Sequence, residues 1–225
     1  MVEATVSGWT LRSIGGLCWG VPFGRVSLLP MLSFLDMLVR LAIVCVAMAS
    51  LGASVAPVRV QTIDGVSVDA LAAPSGTKAI VFVFTSTDCP ISNRYAPELK
   101  RIVDTFAPQG VAFRLVYPNP AEQAAAIREH VAAFSYGDVM QPLRDPALAL
   151  VKFVKATVTP EAAVVVGDRV VYRGRIDDRY VDLGLERPKP TVHDLADALS
   201  AVLAGRPVAH PTTQAVGCFI ADFTR

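Results

Sequence analysis

The chain has 225 residues, of which 52% are hydrophobic and 18% are charged, so it can form one packed domain with a short additional segment. Lysine and arginine contribute 21 residues and aspartate and glutamate contribute 20, which gives a formal net charge of +1 at pH 7. No block of like charge occurs along the chain, and this argues against nucleic acid or an anionic membrane surface as the main partner.

The most hydrophobic stretch, residues 38–56, has the pattern of a secretory signal peptide, with an arginine near its front, a short apolar run and small residues at its end. We predict cleavage within residues 49–56 and therefore an exported, periplasmic or cell-envelope location. The apolar run is short for a membrane span, and an uncleaved membrane anchor is the alternative. Residues 1–36 show no clear periodicity, so we expect the natural start at Met31 or Met37. The predicted segments are an N-terminal extension that is disordered or precedes the true start (1–36), a signal peptide or anchor (37–56), a folded domain (58–205) and an extended C-terminal tail (206–225).

Strand and turn signals follow directly after this segment. Alternating apolar residues on both sides of an Asp-Gly pair predict a β-hairpin of strands 58–62 and 66–71. The continuous apolar run at 79–84 predicts a central strand that is buried on both faces. Apolar residues at helical spacing over 91–106 then predict a helix, so Cys89 lies where a strand ends and a helix begins.

The rest of the domain continues this alternation of strands and helices. Residues 111–117 predict a second strand, and a capping pattern that starts at Asn119 and includes Glu122 predicts a helix to about Phe134. This order predicts an α/β fold in which parallel strands come first and an antiparallel hairpin comes last. Further predicted elements are a helix from Asp145 to Val154, a strand after Val158-Thr159-Pro160, its paired strand 170–175 and a last helix capped at Thr191 and ending near Leu203.

Four cysteines are present, and two of them, Cys18 and Cys45, precede the predicted cleavage region. Cys89 and Cys218 would remain in the mature protein, and an oxidising compartment makes a permanent or transient disulfide between them a natural question. The start of a helix carries partial positive charge and free N–H groups, which lower the pKa of a thiol placed as Cys89 is. The alternative for Cys89 is a buried structural cysteine.

Residues 82–106 resemble the thioredoxin superfamily. Cys89 matches the first cysteine of its redox motif, Pro97 matches its helix-kinking proline, and Thr159-Pro160 matches its cis-proline loop. The similarity is greatest to the redoxin group, which comprises the alkyl hydroperoxide reductase and thiol-specific antioxidant family and the exported cytochrome-maturation thioredoxins. The resemblance implies a thioredoxin-like three-layer fold with a mixed central sheet, preceded by a β-hairpin, and a cis peptide bond before Pro160 that faces Cys89.

Two departures from the family pattern limit the chemistry. The usual C-x-x-C motif is Cys-Pro-Ile-Ser, so Ser92 occupies the position of the second cysteine and no disulfide can close within the motif. The threonine that peroxiredoxins carry three residues before the reactive cysteine is replaced by Ser86, and their upstream proline is absent. The first departure excludes a thioredoxin-type dithiol cycle on this motif alone, and the second argues against peroxidase activity.

The predicted topology brings further side chains toward the thiol. The strand that ends near Arg175 is expected to run parallel to the central strand, so Arg175 would lie at the thiol end of the sheet and could stabilise a thiolate or a polarised peroxide. Glu161, next to the expected cis proline, could transfer protons. Thr159, Pro160 and Ser92 are expected to line the substrate groove. The alternatives are a solvated loop with local ion pairs for Arg175 and an ordinary exposed carboxylate for Glu161.

These features favour an exported thiol oxidoreductase that exchanges disulfides or reduces peroxides through Cys89, with no cofactor and with a thiol or disulfide protein or a peroxide as its partner. Because Ser92 cannot resolve an intermediate, Cys218 is the expected redox partner, docked by apolar tail residues such as Phe219 and Ile220. A permanent structural disulfide between the two cysteines is the rival interpretation.

Two functions of a different class remain open on the sequence. One is copper or haem delivery with Cys89, Cys218 and the candidate third ligand His210, because soft thiolates with imidazole suit copper, although no close ligand spacing supports it. The other is a redox-inactive binding module that holds an extended partner segment in the cis-proline groove, which the missing second motif cysteine allows. The remaining histidines, His130 and His193, are predicted to be surface residues.

Overall fold

The computed structural model describes residues 56–137 and 139–221. The predicted N-terminal extension, the cleavage region except for Ala56, and the cysteines Cys18 and Cys45 lie outside these residues. None of the helices that are described combines the length and the hydrophobicity needed to cross a bilayer.

The described residues contain eleven strands and five α-helices. In chain order they are β1 (Arg59–Thr62), β2 (Ser67–Asp69), β3 (Ala79–Phe84), α1 (Pro90–Arg94), α2 (Ala96–Phe106), β4 (Val111–Tyr117), α3 (Ala124–Ala133), β5 (Gln141–Arg144), α4 (Ala149–Val154), β6 (Val158–Thr159), β7 (Glu161–Val166), β8 (Arg169–Gly174), β9 (Tyr180–Asp182), β10 (Leu185–Glu186), α5 (Asp194–Leu203) and β11 (Cys218–Phe219). A single turn of 3-10 helix, Ala107–Gln109, follows α2.

Seven strands form one mixed sheet in the order β2-β1-β5-β4-β3-β7-β8. β3, β4 and β5 run parallel, while β7 is antiparallel to β3 and β8 is antiparallel to β7. The carboxyl ends of β3 and β8 therefore lie at the same edge of the sheet, as predicted. Two small strand pairs lie outside this sheet, β9 with β10 and β6 with β11.

The core forms on both faces of β3, because all six residues of this strand are buried. Val81 and Val83 belong to one apolar cluster, which includes side chains of α2, α3 and α5. Phe82 and Phe84 belong to the other cluster, which includes side chains of α4 and β1. A strand alternates its side chains between the two faces of a sheet, so a continuous apolar run requires cover on both. The result is a three-layer arrangement with helices on both sides of the sheet.

The predicted helix over 91–106 is divided in two at Tyr95. α1 has only five residues, and α2 follows with Pro97 in its first turn. A proline cannot donate an N–H to the carbonyl four residues earlier, and its ring crowds that carbonyl, so the position of Pro97 explains the break. The hydroxyl of Tyr95 donates to the carboxylate of Asp177 at 2.6 Å, which ties the break to the loop after β8.

The capping pattern at Asn119 does not start a helix, and this prediction is wrong. The side chain of Asn119 accepts the N–H of Ala121 in a turn, and α3 begins later. Asp145 also precedes its helix by several residues, although its carboxylate accepts the N–H groups of Ala149 and Val151 in α4. Glu122, which the sequence assigns to a capping box, turns instead toward the loop that follows β3.

Candidate functional site

Cys89 and Cys218 lie together although they are 129 positions apart in the chain. Their sulfur atoms are 3.1 Å apart, and both are free thiols. A disulfide bond is about 2.05 Å long, so a shift of roughly 1 Å would join these atoms. Cys89 is only 1% exposed, whereas Cys218 is an exposed residue. The pair therefore combines a buried sulfur with one on the surface.

Cys89 lies immediately before α1, where the sequence places it. It is the N-cap residue of that helix, and its carbonyl accepts the N–H of Asn93 at 3.1 Å. Its sulfur donates to the carbonyl of Thr159 at 3.1 Å. The backbone and the side chain of Cys89 are thus held by groups from two different parts of the chain.

The surroundings of the two thiols shift their pKa values in opposite directions. Burial opposes ionisation of Cys89, but the hydroxyl and the backbone N–H of Ser92, together with the thiol of Cys218, outweigh it and lower the pKa of Cys89. The Ser92 hydroxyl is buried and makes no conventional hydrogen bond within the described residues, so it acts on the sulfur as a nearby dipole. Burial and the adjacent Cys89 raise the pKa of Cys218 to about 11. Cys89 is therefore the thiol that ionises more readily.

The loop between β3 and Cys89 is held by a buried carboxylate. Glu122 accepts the N–H of Thr87 at 2.6 Å and the hydroxyl of Ser86 at 3.1 Å. The Ser86 hydroxyl also lies 2.5 Å from the carboxylate of Asp88. Among the described residues these two carboxylates are the hydrogen-bond partners of the Ser86 side chain, so Ser86 anchors the loop.

A chain of buried and half-buried polar groups holds the same loop from the other side. Asn93 donates to the carbonyl of Thr87 at 3.3 Å, and its side-chain oxygen lies 2.8 Å from Nε2 of His130. Nδ1 of His130 lies 2.9 Å from the hydroxyl of Tyr117. The prediction that His130 is a surface residue is wrong, because the side chain is buried and burial lowers its pKa. A neutral His130 can donate to Asn93 and accept from Tyr117, so the chain is satisfied.

The segment that carries Cys218 lies against the domain as a short antiparallel strand. β11 pairs with β6 so that Cys218 is opposite Thr159, and the N–H of Ile220 donates to the carbonyl of Thr157 at 3.0 Å. A side chain at Gly217 would collide with the carbonyl of Thr159, so this close approach requires glycine. Backbone pairing therefore brings the sulfur of Cys218 to Cys89.

The tail is fixed a second time before it reaches Cys218. The N–H of Arg173 donates to the carbonyl of Pro211 at 2.9 Å, and the N–H of Thr213 donates to the carbonyl of Arg173 at 3.0 Å. The hydroxyl of Thr213 accepts the N–H of Arg175 at 3.1 Å. Of the two apolar residues expected to dock the tail, Phe219 does not do so, because it is 84% exposed, whereas the half-buried Ile220 packs against the apolar cluster of β3. Hydrogen bonds and the packing of Ile220, rather than Phe219, hold the tail in place.

The peptide bond between Thr159 and Pro160 is cis, as predicted. The carbonyl of Thr159 lies against the sulfur of Cys89, so this loop faces the thiol. The mixed sheet, the thiol between β3 and α1, and the cis proline before β7 are the features that the resemblance implied. The chain has a thioredoxin-like fold.

Several solved structures are similar to this chain. A hypothetical protein of Sinorhizobium meliloti is 26% identical with a TM-score of 0.63, and the match covers 78% of this chain and 96% of that one. An uncharacterized conserved protein of Geobacillus kaustophilus is 26% identical with a TM-score of 0.64, covering 78% and 93%. A secreted disulfide oxidoreductase of Mycobacterium tuberculosis is 18% identical with a TM-score of 0.43, covering 65% and 94%. No family model and no curated protein matches the sequence.

Two side chains that were expected to act on the thiol are engaged elsewhere. One carboxylate oxygen of Glu161 pairs with Arg173 at 2.9 Å, and the other accepts the N–H of Thr157 at 2.7 Å. Glu161 is only 1% exposed, so the alternative of an ordinary exposed carboxylate is wrong, and both of its oxygens have partners other than the thiol. Arg175 donates to Asp194 at 2.7 Å, which is the alternative of a local ion pair. Glu161 therefore shapes the β6 loop, and Arg175 is tied to the start of α5.

The three ligands considered for copper do not form a cluster. Within the part of the chain that the structure describes, one group of three close ligand atoms could hold a metal ion, and it consists of Glu98, Asp177 and His193. This group contains neither cysteine, and it does not contain His210. A copper site made by the two thiols and His210 is therefore not assembled here.

Proposed function

We propose that this protein is an exported thiol oxidoreductase whose working unit is the pair Cys89 and Cys218, which cycles between two thiols and one disulfide. The observation that supports the proposal most is the 3.1 Å separation of the two sulfurs, next to the lowered pKa of Cys89. Disulfide exchange requires a thiolate that can reach a second sulfur. The thioredoxin-like fold is compatible with the same class of reaction.

The proposed cycle balances without a cofactor. One sulfur of the reduced pair bonds to one sulfur of a substrate disulfide, and the other substrate sulfur leaves as a thiolate. The second sulfur of the pair then attacks the first, the disulfide between Cys89 and Cys218 forms, and the substrate departs with two more electrons. A dithiol partner reverses these steps and restores the pair. Peroxide reduction has less support, because Arg175, the group expected to polarise a peroxide, is paired with Asp194.

Export is the part of the proposal that rests on sequence alone. The pattern of residues 38–56 supports a signal peptide, and cleavage within 49–56 would remove Cys18 and Cys45. The intact mass of the protein recovered from the cell envelope tests this step. A mass that includes these residues would make the segment a membrane anchor.

The redox proposal is tested by peptide mapping of the full chain under non-reducing conditions, before and after mild oxidation with diamide. We expect one intramolecular disulfide between Cys89 and Cys218, which the native protein loses in dithiothreitol. The variants Cys89→Ser and Cys218→Ser are matched controls, and each should abolish this disulfide while circular dichroism stays unchanged. Two cysteines that pair in no state would refute the proposal. A disulfide that is reduced only after unfolding would make it a structural staple.

A further inference from the structure

The two sulfurs differ in how an outside thiol can reach them. The side chain of Cys89 is 1% exposed and lies beneath Thr159 and the tail, whereas Cys218 is on the surface. A cavity of about 240 Å³ opens beside Cys218, and its walls include Asp88 and Asn119 but not Cys89. Access decides which sulfur of a disulfide is attacked. An incoming thiolate therefore meets Cys218 first.

We infer that an external dithiol attacks the sulfur of Cys218 in the oxidised pair and that Cys89 is the sulfur released. The inference rests on the proposed function and deepens it, because it assigns the partner bond to a residue. It also reverses the roles expected from the sequence, in which Cys89 bonds to the partner and Cys218 resolves that bond.

The step balances in atoms and electrons. A partner thiol loses its proton to solvent, its sulfur bonds to Cys218, and the electron pair of the broken disulfide goes to Cys89. The second thiol of the partner then attacks the partner's first sulfur and displaces Cys218, which takes up the proton that this thiol loses. The partner ends as a disulfide, two electrons poorer, and the pair ends as the thiolate of Cys89 and the thiol of Cys218.

The sulfur expected to leave more readily, Cys89, is also the less exposed of the two. Departure of Cys89 releases the thiolate that the neighbouring Ser92 groups stabilise, whereas departure of Cys218 would release a thiolate whose pKa is raised to about 11. A sulfur of lower pKa leaves faster in disulfide exchange. Geometry and chemistry thus select the same bond.

The cavity also carries charge that bears on the partner. The exposed carboxylate of Asp88 lines it beside Cys218, and Glu122 lies behind through their shared partner Ser86. An attacking thiol that carries a nearby positive charge is attracted to this cavity, and one that carries a negative charge is repelled. The expected partner is therefore a dithiol with a basic group beside its reactive sulfur.

The test uses the full chain with Cys18→Ser and Cys45→Ser, oxidised and shown by mapping to hold the disulfide. Cysteamine, a cationic thiol, is added, the reaction is stopped with acid at early times, and free thiols are blocked with N-ethylmaleimide before peptic digestion. We expect cysteamine on Cys218 and maleimide on Cys89, in roughly tenfold excess over the reverse pattern.

Each outcome of this experiment decides a separate point. Equal labelling, or cysteamine mainly on Cys89, overturns the inference but leaves the proposed function standing. Absence of the Cys89–Cys218 disulfide before cysteamine is added overturns both the inference and the proposed function.

The charge preference is tested with Asp88→Asn. This variant should lower the ratio of the cysteamine rate to the 3-mercaptopropionate rate by roughly threefold, and an unchanged ratio would remove Asp88 from partner selection.

Discussion

The two cysteines meet at one point, but the structure supports them in opposite ways. The loop before Cys89 is held by one buried and one half-buried side chain, which bind the N–H and the carbonyl of Thr87. The segment around Cys218 is held by backbone hydrogen bonds to one strand of two residues and by the half-buried Ile220, while Phe219 is almost fully exposed. Few buried contacts give a low free energy of local opening. The thiol of lower pKa is therefore held more firmly than the accessible thiol.

The anchor of the tail at Thr213 defines how far the weakly held segment can move. Thr213 exchanges hydrogen bonds with the edge of β8. The five residues that follow this anchor, 214–218, end with Cys218. At about 3.3 Å per residue, a segment released from β6 would keep Cys218 within roughly 16 Å of this anchor. The distance that Cys218 could travel without breaking the Thr213 anchor is therefore limited to this length.

The largest effect is expected from Gly217→Ala, which disturbs the backbone pairing that holds Cys218. The added methyl group would collide with the carbonyl of Thr159 and push β11 away from β6. We expect disulfide formation to slow by roughly 30-fold, the equivalent of about 2 kcal/mol of overpacking, in a stopped-flow oxidation assay. Gly137→Ala is the matched control, because a methyl group there meets only ordinary contact with Val131. Equal rates in the two variants would show that this close approach does not position Cys218.

The next largest effect is expected from Glu122→Ala, which weakens the support of the loop before Cys89. This substitution leaves the N–H of Thr87 without its buried acceptor, and an unsatisfied group of this kind costs about 1–3 kcal/mol. We expect the free energy of unfolding in urea to fall by that amount. Glu129→Ala, an exposed residue of α3, should change it by no more than about 0.5 kcal/mol. A loss confined to Glu129→Ala, or equal losses, would contradict the role of Glu122 in holding the loop.

A smaller effect is expected on the pH dependence of the thiols, measured by the ultraviolet absorbance of the thiolate. Cys89 should ionise below the ordinary thiol value of 9.0, and Cys218 should ionise above it. The stability that a lowered pKa contributes is present above the pKa of the unfolded thiol and is lost as the pH falls through the folded value. Removing Cys89 as Cys89→Ser should lower the pKa of Cys218 from about 11, because Cys89 helps to raise it. A Cys218 titration that stays in place would argue against coupling between the sulfurs.

The smallest effect is expected from Phe219→Ser. The side chain is 84% exposed, so its removal from the tail should change the free energy of unfolding by no more than about 0.5 kcal/mol. Phe82→Ala, in the core strand, should cost about 3–5 kcal/mol under the same conditions. A large loss in Phe219→Ser would show that Phe219 also docks the tail and would weaken the contrast between the two supports.

Local patterns predicted the central strands closely. The expected bounds 79–84 and 111–117 are those of β3 and β4, because strands in which apolar residues predominate are buried on both faces of a sheet. β5 was not predicted, since Gln141–Arg144 contains a proline and two polar residues, and its pairing with β4 and β1 makes it a strand. The helix start at Asn119 failed because a cap and a turn use the same side-chain hydrogen bond.

The candidate site likewise has features that the sequence predicted and features that it did not. The place of Cys89 before a helix, the cis bond at Pro160 and the candidacy of Cys218 came from motif spacing, resemblance and the count of cysteines. The burial of His130 had no signal in the sequence, because its partners Asn93 and Tyr117 lie on other elements. The burial of a lone histidine on a helix is predicted from its neighbours in the chain, and these neighbours do not include the groups that bury it.

Local patterns and motif spacing predicted the α/β order, the thioredoxin-like motif positions and the thiol at the start of a helix. The folded chain was needed to show that Glu122 holds the loop of Cys89, that Arg175 turns to Asp194, and that the tail brings Cys218 to the buried sulfur. The difference lies in the separation of the interacting residues along the chain. Periodicity and capping act between residues a few positions apart, whereas these hydrogen bonds and close approaches join distant parts of the chain that no local pattern relates.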